Sequence, residues 1–243
     1  MTTIAHNLHA VRQRIQAACL AAGRDPAQVT LLAVSKTFGA DAVQAARACG
    51  QHQFGENYIQ EAVDKIRALA AAPAPERPLV WHCIGPVQSN KTRLVAEHFD
   101  WVHTVDRAKL AQRLSAQRPA HLPPLQVCLQ VNIDAGAAKS GVPPQAALAL
   151  AREVAALPHL VLRGLMTIPE PAPDFARALA VHRQTQQLFA DLRAALPGAS
   201  GAAFDTLSMG MSADLEAAIH AGSTMVRVGS AIFGGRAPAP TSP

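Results

Sequence analysis

The stretch Thr30-Leu31-Leu32-Ala33-Val34-Ser35-Lys36 decides how this chain folds. It is apolar almost throughout and ends in polar residues, a pattern typical of a β-strand that is buried on both faces. Strands of this kind belong to parallel sheets covered by helices. We therefore predict that residues 30–36 form the first strand of an α/β protein, with Lys36 at its carboxyl end.

The same pattern recurs along the chain, with alanine-rich helical stretches between the apolar runs. The predicted strands lie at residues 30–36, 51–55, 79–85, 100–105, 125–133, 160–168, 204–209 and 224–229. The predicted helices lie at residues 3–22, 40–49, 57–71, 89–98, 107–117, 143–156, 174–195 and 212–221. Alternation of this kind implies parallel strands with right-handed crossovers, and eight units close into a barrel.

The predicted fold class is therefore α/β, a single (β/α)8 TIM barrel with an extra N-terminal helix. An open, doubly wound sheet also fits the alternation. However, no Gly-x-Gly-x-x-Gly motif follows the first strand, which argues against a dinucleotide-binding crevice.

The length and composition fit one large, well-packed domain. The chain has 243 residues, close to the roughly 250 that are usual for an eightfold α/β barrel. Hydrophobic residues make up 49% and charged residues 16%, which favours a buried core over a disordered chain. We predict a barrel over residues 1–236 and a disordered tail at residues 237–243.

Charge and cysteine content narrow the class of protein. The net charge is +5, but Lys and Arg are scattered and only 4% of residues are aromatic, so we expect no nucleic-acid binding. The cysteines (Cys19, Cys49, Cys83 and Cys128) lack metal-ligand spacing and are predicted to be free thiols in a reducing compartment. Without a signal-peptide pattern or an apolar run of about 18 residues, we expect a cytoplasmic protein that does not bind membranes.

Polar residues collect at the carboxyl ends of the predicted strands. In a barrel these ends meet at one mouth, where the βα loops build the site. The residues concerned are, strand by strand, Lys36, Glu56 and Asn57, His82, Asp106, Asn132, Met166 and Thr167, Ser208 to Ser212, and Arg227 to Ser230. Their common position predicts a functional site at the mouth.

Lys36 is the candidate reactive group of this site. A lysine amine at the edge of an apolar pocket can attack a carbonyl carbon and form a Schiff base. The alternative is a lysine that only caps the strand in solvent.

The loops after the last two strands are rich in glycine and serine. Gly210 and Ser212 precede a helix, and Gly229 and Ser230 precede a short turn over residues 231–234. Glycine permits a close backbone approach, and barrels often bind phosphate on these two loops. Ser212 can serve as an N-cap at the same time. We predict a phosphate site here.

A reactive lysine and a phosphate site at one mouth indicate a phosphorylated aldehyde as ligand. Pyridoxal 5′-phosphate fits this description, and a sugar phosphate bound by a Schiff-base aldolase is the alternative. Arg227 lies two residues before Gly229 and can project into the mouth. It then binds either the ligand or a salt-bridge partner.

Eight motifs occur in order over about residues 4–236. They are Ala33-Val34-Ser35-Lys36, Phe54-Gly55-Glu56-Asn57-Tyr58-Ile59-Gln60-Glu61, His82-x-Ile84-Gly85-x-x-Gln88-x-Asn90-Lys91, Val131-Asn132-Ile133, Lys139-Ser140-Gly141, Arg163-Gly164-Leu165-Met166-Thr167, Leu207-Ser208-Met209-Gly210-Met211-Ser212-x-Asp214 and Arg227-Val228-Gly229-Ser230-x-Ile232-Phe233-Gly234. In these motifs the chain resembles the pyridoxal phosphate homeostasis proteins, the bacterial YggS and eukaryotic PROSC group. That family shares the fold of the alanine racemase amino-terminal barrel.

The resemblance implies a cofactor and its site residues. Lys36 would carry pyridoxal 5′-phosphate as an imine, and Arg227 would face the pyridine nitrogen. Asn57 and Met166 would line the ring pocket. Four residues would hold the phosphate: Ser208, Ser212, Gly229 and Ser230. No metal is implied.

Such a site favours binding over catalysis. A guanidinium only donates hydrogen bonds, so the pyridine nitrogen beside Arg227 would stay unprotonated and the ring would be a weaker electron sink. Racemases of this fold take a second acid/base from a carboxy-terminal domain across a dimer, and we expect no such domain after Arg236. We therefore predict a monomer that buffers pyridoxal phosphate and passes it to apo-enzymes. A slow racemase or lyase with Lys36 as its base is the alternative.

The histidines show no metal-ligand spacing. His82 is predicted to pack within the third strand. Seven others are predicted to lie at the surface: His6, His9, His52, His98, His159, His182 and His220.

Overall fold

A computed structural model describes residues 3–70, 77–136 and 139–235 of the chain. In these residues eight parallel β-strands pair in sequence order, and the last strand pairs with the first to close a barrel. The strands are β1 (Thr30–Val34), β2 (Gln53–Glu56), β3 (Val80–Cys83), β4 (Trp101–Val105), β5 (Leu125–Gln130), β6 (Leu160–Met166), β7 (Thr206–Ser208) and β8 (Met225–Val228). The predicted TIM barrel is confirmed.

Helices surround this barrel, and α1 (Thr3–Ala21) precedes β1 as predicted. The others are α2 (Ala40–Ala48), α3 (Ile59–Ala70), α4 (Thr92–His98), α5 (Ala108–Gln117), α6 (Ala147–Ala155), α7 (Phe175–Ala195), α8 (Gly198–Ala203), α9 (Leu215–His220) and α10 (Ser230–Phe233). The sequence does not predict α8, because its six residues include two glycines and show no apolar periodicity. The turn predicted after the eighth strand is the short helix α10.

Helix α1 completes the outer layer of helices at the seam where β8 meets β1. It packs against α9, α10 and α2. Because α10 has only four residues, α1 adds helical cover beside it in the outer layer.

Several strands end earlier than predicted, because the chain turns away from the sheet at the mouth. β1 ends at Val34, and the Phe38 N–H then donates to the Ser35 carbonyl oxygen at 3.1 Å to close a turn. β5 ends at Gln130, after which Val131 pairs with Val142. The polar residues after these strands therefore lie in loops.

The apolar core has two parts of unequal size. A large cluster fills the layer between the strands and the helices. A small cluster inside the barrel consists of Leu32, Val34, Ile84 and Met225. Buried polar side chains share the barrel interior with this small cluster: His82, His103, Ser208 and Arg227.

Other predictions from the sequence have mixed outcomes. The surface prediction for His182 is wrong, because its side chain is fully buried and lies 2.9 Å from Asp214 Oδ2, where α7 packs on α9.

All four cysteines are free, with Cys49 only half-buried. Residues 237–243 lie outside the described residues. In the described part of the chain, no helix is long and apolar enough to cross a membrane.

Candidate functional site

Lys36 lies two residues beyond β1, at the mouth of the barrel. The adjacent strand is β8, with Ala33 in register with Val228. A Cβ atom on Gly229 would lie 3.1 Å from the Val34 carbonyl oxygen, so glycine allows the loop after β8 to approach β1 closely. The predicted imine lysine and half of the predicted phosphate site thus share one corner of the mouth.

The Lys36 side chain is half-buried. Its amine makes no hydrogen bond and no ion pair with any described residue. An amine without a partner is what a Schiff-base lysine requires, since the nitrogen lone pair must reach a carbonyl carbon.

The backbone around Lys36 is held from two sides. Thr37 has a φ of +67°, a region that β-branched residues rarely adopt, and its N–H donates to Glu61 Oε1 at 2.8 Å. Phe38 stacks on Phe233 of α10, with ring centroids 5.2 Å apart. The turn is therefore fixed between α3 and α10.

A buried ion cluster lies behind this turn, between β2 and α3. Lys65 Nζ donates to Glu56 Oε1 at 2.6 Å and to the Ser35 carbonyl oxygen at 3.0 Å. The Ser35 hydroxyl donates to the same Glu56 oxygen at 2.6 Å, and Glu61 Oε1 lies 3.3 Å from Lys65 Nζ. Burial raises the pKa of Glu56, and the positive charge of Lys65 only partly opposes that effect.

Arg227 is a buried cation on β8. One guanidinium nitrogen donates to the Ser208 carbonyl oxygen at 2.7 Å and to the Ser208 hydroxyl at 2.8 Å. The other donates to the Thr167 carbonyl oxygen at 2.8 Å. Burial lowers the pKa of Arg227 to about 10, so the side chain stays charged at neutral pH.

A chain of buried side chains continues from Arg227 across the barrel. The Ser208 hydroxyl lies 3.0 Å from His103 Nδ1, and His103 Nε2 lies 2.9 Å from His82 Nδ1. Burial lowers the pKa of His82 to about 3 and that of His103 well below its usual value, so both rings are neutral. The predicted strand packing of His82 is correct, and its ring also stacks on Trp101 with centroids 5.3 Å apart.

Ser208 occupies its predicted place at the end of β7, but its hydroxyl is already engaged. It is fully buried and bonded to both Arg227 and His103. Its O–H can donate to a phosphate only when His103 Nδ1 carries a proton and donates to the hydroxyl oxygen.

The loop after β7 has a fixed conformation. Gly210 has a φ of +93°, and a Cβ atom there would lie 2.5 Å from the Ala218 Cβ, so only glycine fits. Asp214 Oδ1 accepts the Met211 N–H at 2.7 Å. Burial raises the pKa of Asp214, but the hydrogen bonds from His182 and Met211 outweigh this and lower the pKa overall.

Ser212 lies on this loop and is half-buried. Its carbonyl oxygen accepts from Arg14 Nη2 at 3.0 Å, while its hydroxyl makes no hydrogen bond with the described residues. Ser230, after β8, is exposed. Both serines lie on the loops that the sequence predicts to bind phosphate.

A cavity of about 240 Å³ opens beside the predicted ring pocket. Asn57 lines it, and the Asn57 Oδ1 atom is buried without a partner among the described residues. Met166 is fully buried at the end of β6, in register with Ser208, and does not line this cavity. The lining is Asn57, Ile84, Pro86, Thr104, Gln130, Lys139, Ser140 and Ile168.

The lysine that lines this cavity, Lys139, differs from Lys36. Its amine pairs with Asp134 at 2.8 Å and with Glu170 at 3.1 Å. Burial lowers the pKa of Lys139, but these hydrogen bonds outweigh that effect and raise the pKa overall. The amine is thus held protonated, which suppresses its nucleophilicity.

Sequence reasoning missed His103 and Lys65. His103 lies in a strand with no motif around it, and Lys65 reads as one charge on a helix surface. The only available signal for Lys65 was its four-residue spacing from Glu61, which places both on one face of α3.

Comparison with known proteins gives the class of this barrel. A model of the family described as alanine racemase, N-terminal domain, matches residues 2–237, and the chain belongs to that family. Chains named pyridoxal phosphate homeostasis protein match almost end to end. The chain is 57% identical to the one from Pseudomonas aeruginosa over 236 residues, which cover 97% of each chain.

A second such protein, from Escherichia coli K12, is 55% identical over 236 residues, covering 97% of this chain and 98% of the relative. PipY of Synechococcus elongatus, whose structure has PLP bound, has a TM-score of 0.80 at 36% identity, covering 95% of this chain and 100% of PipY. The predicted family is confirmed. These curated relatives are named as homeostasis proteins and not as enzymes, which agrees with the prediction for this chain.

Proposed function

We propose that this chain binds pyridoxal 5′-phosphate and takes part in its homeostasis. The observation that carries the proposal is the Lys36 amine, which has no partner among the described residues and lies beside the loop after β8. The names of the close relatives and the PLP-bound PipY structure support the same ligand.

The residues around Lys36 suit a phosphorylated aldehyde. Gly229 lets the loop after β8 lie close to β1, beside Lys36, and Ser212 and Ser230 supply hydroxyls on the two predicted phosphate loops. Asn57 offers a buried oxygen that still lacks a hydrogen-bond donor. Met166 is fully buried at the end of β6 and would pack behind the residues that contact the ring.

Lys36 would hold the ligand reversibly and covalently. When bound, pyridoxal phosphate supplies an aldehyde, and the amine adds to its carbon to give an imine with loss of one water. Hydrolysis reverses the step and releases the aldehyde intact. The chain would thereby limit the free concentration of a reactive compound.

Arg227 would limit the chemistry to binding. Its guanidinium stays charged and donates only, so a ring nitrogen that faces it must accept and stay unprotonated. Thr167 and Ser208 hold the guanidinium in place. We assign Ser208 to this support of Arg227 and leave phosphate binding to Ser212, Gly229 and Ser230.

The finer parts of the proposal concern partners and turnover. The protein would act as a monomer that buffers the cofactor. Hydrolysis of the imine would release the cofactor for delivery to apo-enzymes. The alternative, a slow racemase or lyase with Lys36 as its base, requires turnover of amino acids. If such turnover is observed and is lost in Lys36→Ala, the protein is an enzyme and the carrier proposal is wrong.

The test is a visible absorption titration of the protein with pyridoxal 5′-phosphate. We expect an imine band in the wild type and in Lys109→Ala, which removes an exposed lysine on α5, and no band in Lys36→Ala. A wild type whose spectrum at saturating cofactor equals that of free pyridoxal 5′-phosphate would overturn the proposal and favour a sugar phosphate as ligand.

A further inference from the structure

The residues on either side of Lys36 are tied to one buried cluster that does not face the mouth. Ser35, before it, accepts from Lys65 Nζ through its carbonyl oxygen and donates through its hydroxyl to Glu56. Thr37, after it, donates its N–H to Glu61. Lys65 joins the two carboxylates at 2.6 and 3.3 Å.

The cluster is protected from solvent at its centre. The side chains of Lys65 and Glu56 are 4% and 0% exposed, whereas that of Glu61 is 36% exposed. Interactions between buried charges are screened less by solvent than those at the surface. The attraction between Lys65 and Glu56 therefore holds these side chains in place.

The strain at Thr37 is a second, independent observation. A non-glycine residue with φ near +60° persists only where its surroundings enforce it, and here the Glu61 carboxylate accepts the Thr37 N–H. In a turn closed by Phe38 N–H and the Ser35 carbonyl oxygen, this is the position where glycine or asparagine is favoured. The turn keeps a threonine because the cluster holds it.

We propose that Glu56, Lys65 and Glu61 are positioning residues that aim the Lys36 amine for imine formation by fixing the backbone on both sides of it. They act through Ser35 and Thr37. The inference rests on the proposed function, since it concerns how Lys36 meets an aldehyde.

The variants are chosen to separate positioning from folding. Glu61→Ala removes the acceptor of the Thr37 N–H, while Glu61→Gln keeps a carbonyl oxygen there. Glu97→Ala is the matched control, because Glu97 is also 36% exposed and pairs with a basic residue four positions away. The double variant Glu56→Gln with Lys65→Met removes both buried charges together, which avoids leaving one unpaired.

Two ligands distinguish the contribution of the Lys36 imine to binding from that of the rest of the pocket. Pyridoxal 5′-phosphate reports imine formation, and pyridoxine 5′-phosphate, which has no aldehyde, reports the pocket alone. We expect Glu61→Ala to lower the apparent affinity for pyridoxal 5′-phosphate roughly fivefold, as for the loss of one hydrogen bond, with unchanged affinity for pyridoxine 5′-phosphate. Glu61→Gln should restore most of the loss, Glu97→Ala should match the wild type, and the double variant should lose about tenfold.

The outcomes distinguish this inference from the proposed function. If the wild type forms the imine and both cluster variants form it equally well, the positioning role is wrong and the carrier proposal stands. Equal losses for both ligands would also contradict positioning, because they indicate general damage to the pocket. A wild type that forms no imine overturns the proposed function itself.

Discussion

Lys36, in the turn just after β1, and Arg227, on the adjacent strand β8, are both basic, but they are fixed in opposite ways. Around Lys36 the backbone is held, by Glu61 on one side and Lys65 on the other, while the amine has no partner among the described residues. At Arg227 the side chain itself is held, with bonds to Thr167 and Ser208.

The difference is the one expected between the proposed reactive group, Lys36, and a fixed charge, Arg227. A nucleophile must keep its lone pair available, so only its backbone can be restrained. A cation that sets the electronic state of a neighbour must not move, so its donors are committed to the protein. The following predictions test whether the two restraints are real, from the largest expected effect to the smallest.

The restraint behind Lys36 is expected to contribute most to stability. Lys65→Met leaves Glu56 buried without its cation and should lower the free energy of unfolding by about 3 kcal/mol. The double variant Glu56→Gln with Lys65→Met should recover most of that loss, since no charge is left unpaired. Urea unfolding at pH 7 measures both, and equal losses in the single and double variants would show that the ion pair is not the source.

The restraint on Arg227 should have a smaller effect. Arg227→Met leaves the Thr167 and Ser208 oxygens without their donor and should lower the free energy of unfolding by about 2 kcal/mol. Arg193→Met, at an exposed position on α7, is the control and should change it by less than about 0.5 kcal/mol. Similar values for the two variants in urea unfolding would contradict the idea of a saturated, buried guanidinium.

The neutral histidines next to Arg227 predict a pH dependence. Burial places the pKa of His82 at about 3 in the folded state, below its ordinary value of 6.5, so the unfolded chain binds the additional proton. Stability is therefore complete above pH 6.5 and declines as the pH falls towards 3, by up to roughly 1.4 kcal/mol per pH unit. Urea unfolding between pH 7 and 5 should show a shallower decline in His82→Phe, and parallel declines would disprove the assignment.

The strained turn predicts the smallest effect. Thr37→Gly removes the cost of a positive φ but keeps the N–H that Glu61 accepts, and should raise the free energy of unfolding by about 0.5 kcal/mol. His159→Gly, at another exposed residue with a φ of +60°, should give a similar gain. Thermal unfolding checks both, and a loss in Thr37→Gly alone would mean that the threonine side chain stabilises the turn.

The sequence predicts Lys36 and its strand better than it predicts the buried contacts of Arg227. The barrel follows from the alternation of strands and helices, and Lys36 stands out because it closes an apolar strand. Glu56 was recognised only as a polar strand end, although its side chain points to α3 and not to the mouth. Which face a residue at a strand end occupies depends on where the strand stops, and a shift of one residue reverses the answer.

The interior of the barrel was harder to predict for a related reason. His103, Ser208 and Arg227 come from three strands and are far apart in the chain, so their hydrogen bonds depend on the register of the closed sheet. No local pattern encodes that register. His182 was misassigned for the same reason, because its partner Asp214 lies on the loop before another helix.

The most direct test of the account is whether the cofactor becomes attached to a lysine, and to which one. The protein is incubated with pyridoxal 5′-phosphate, reduced with borohydride and mapped by peptide mass spectrometry over its five lysines. The account predicts a single modified peptide carrying the label on Lys36, because Lys65 and Lys139 are held in ion pairs and Lys36 lies beside the predicted phosphate loop after β8. Label on Lys139, or spread over several lysines with Lys36 unmodified, would contradict it.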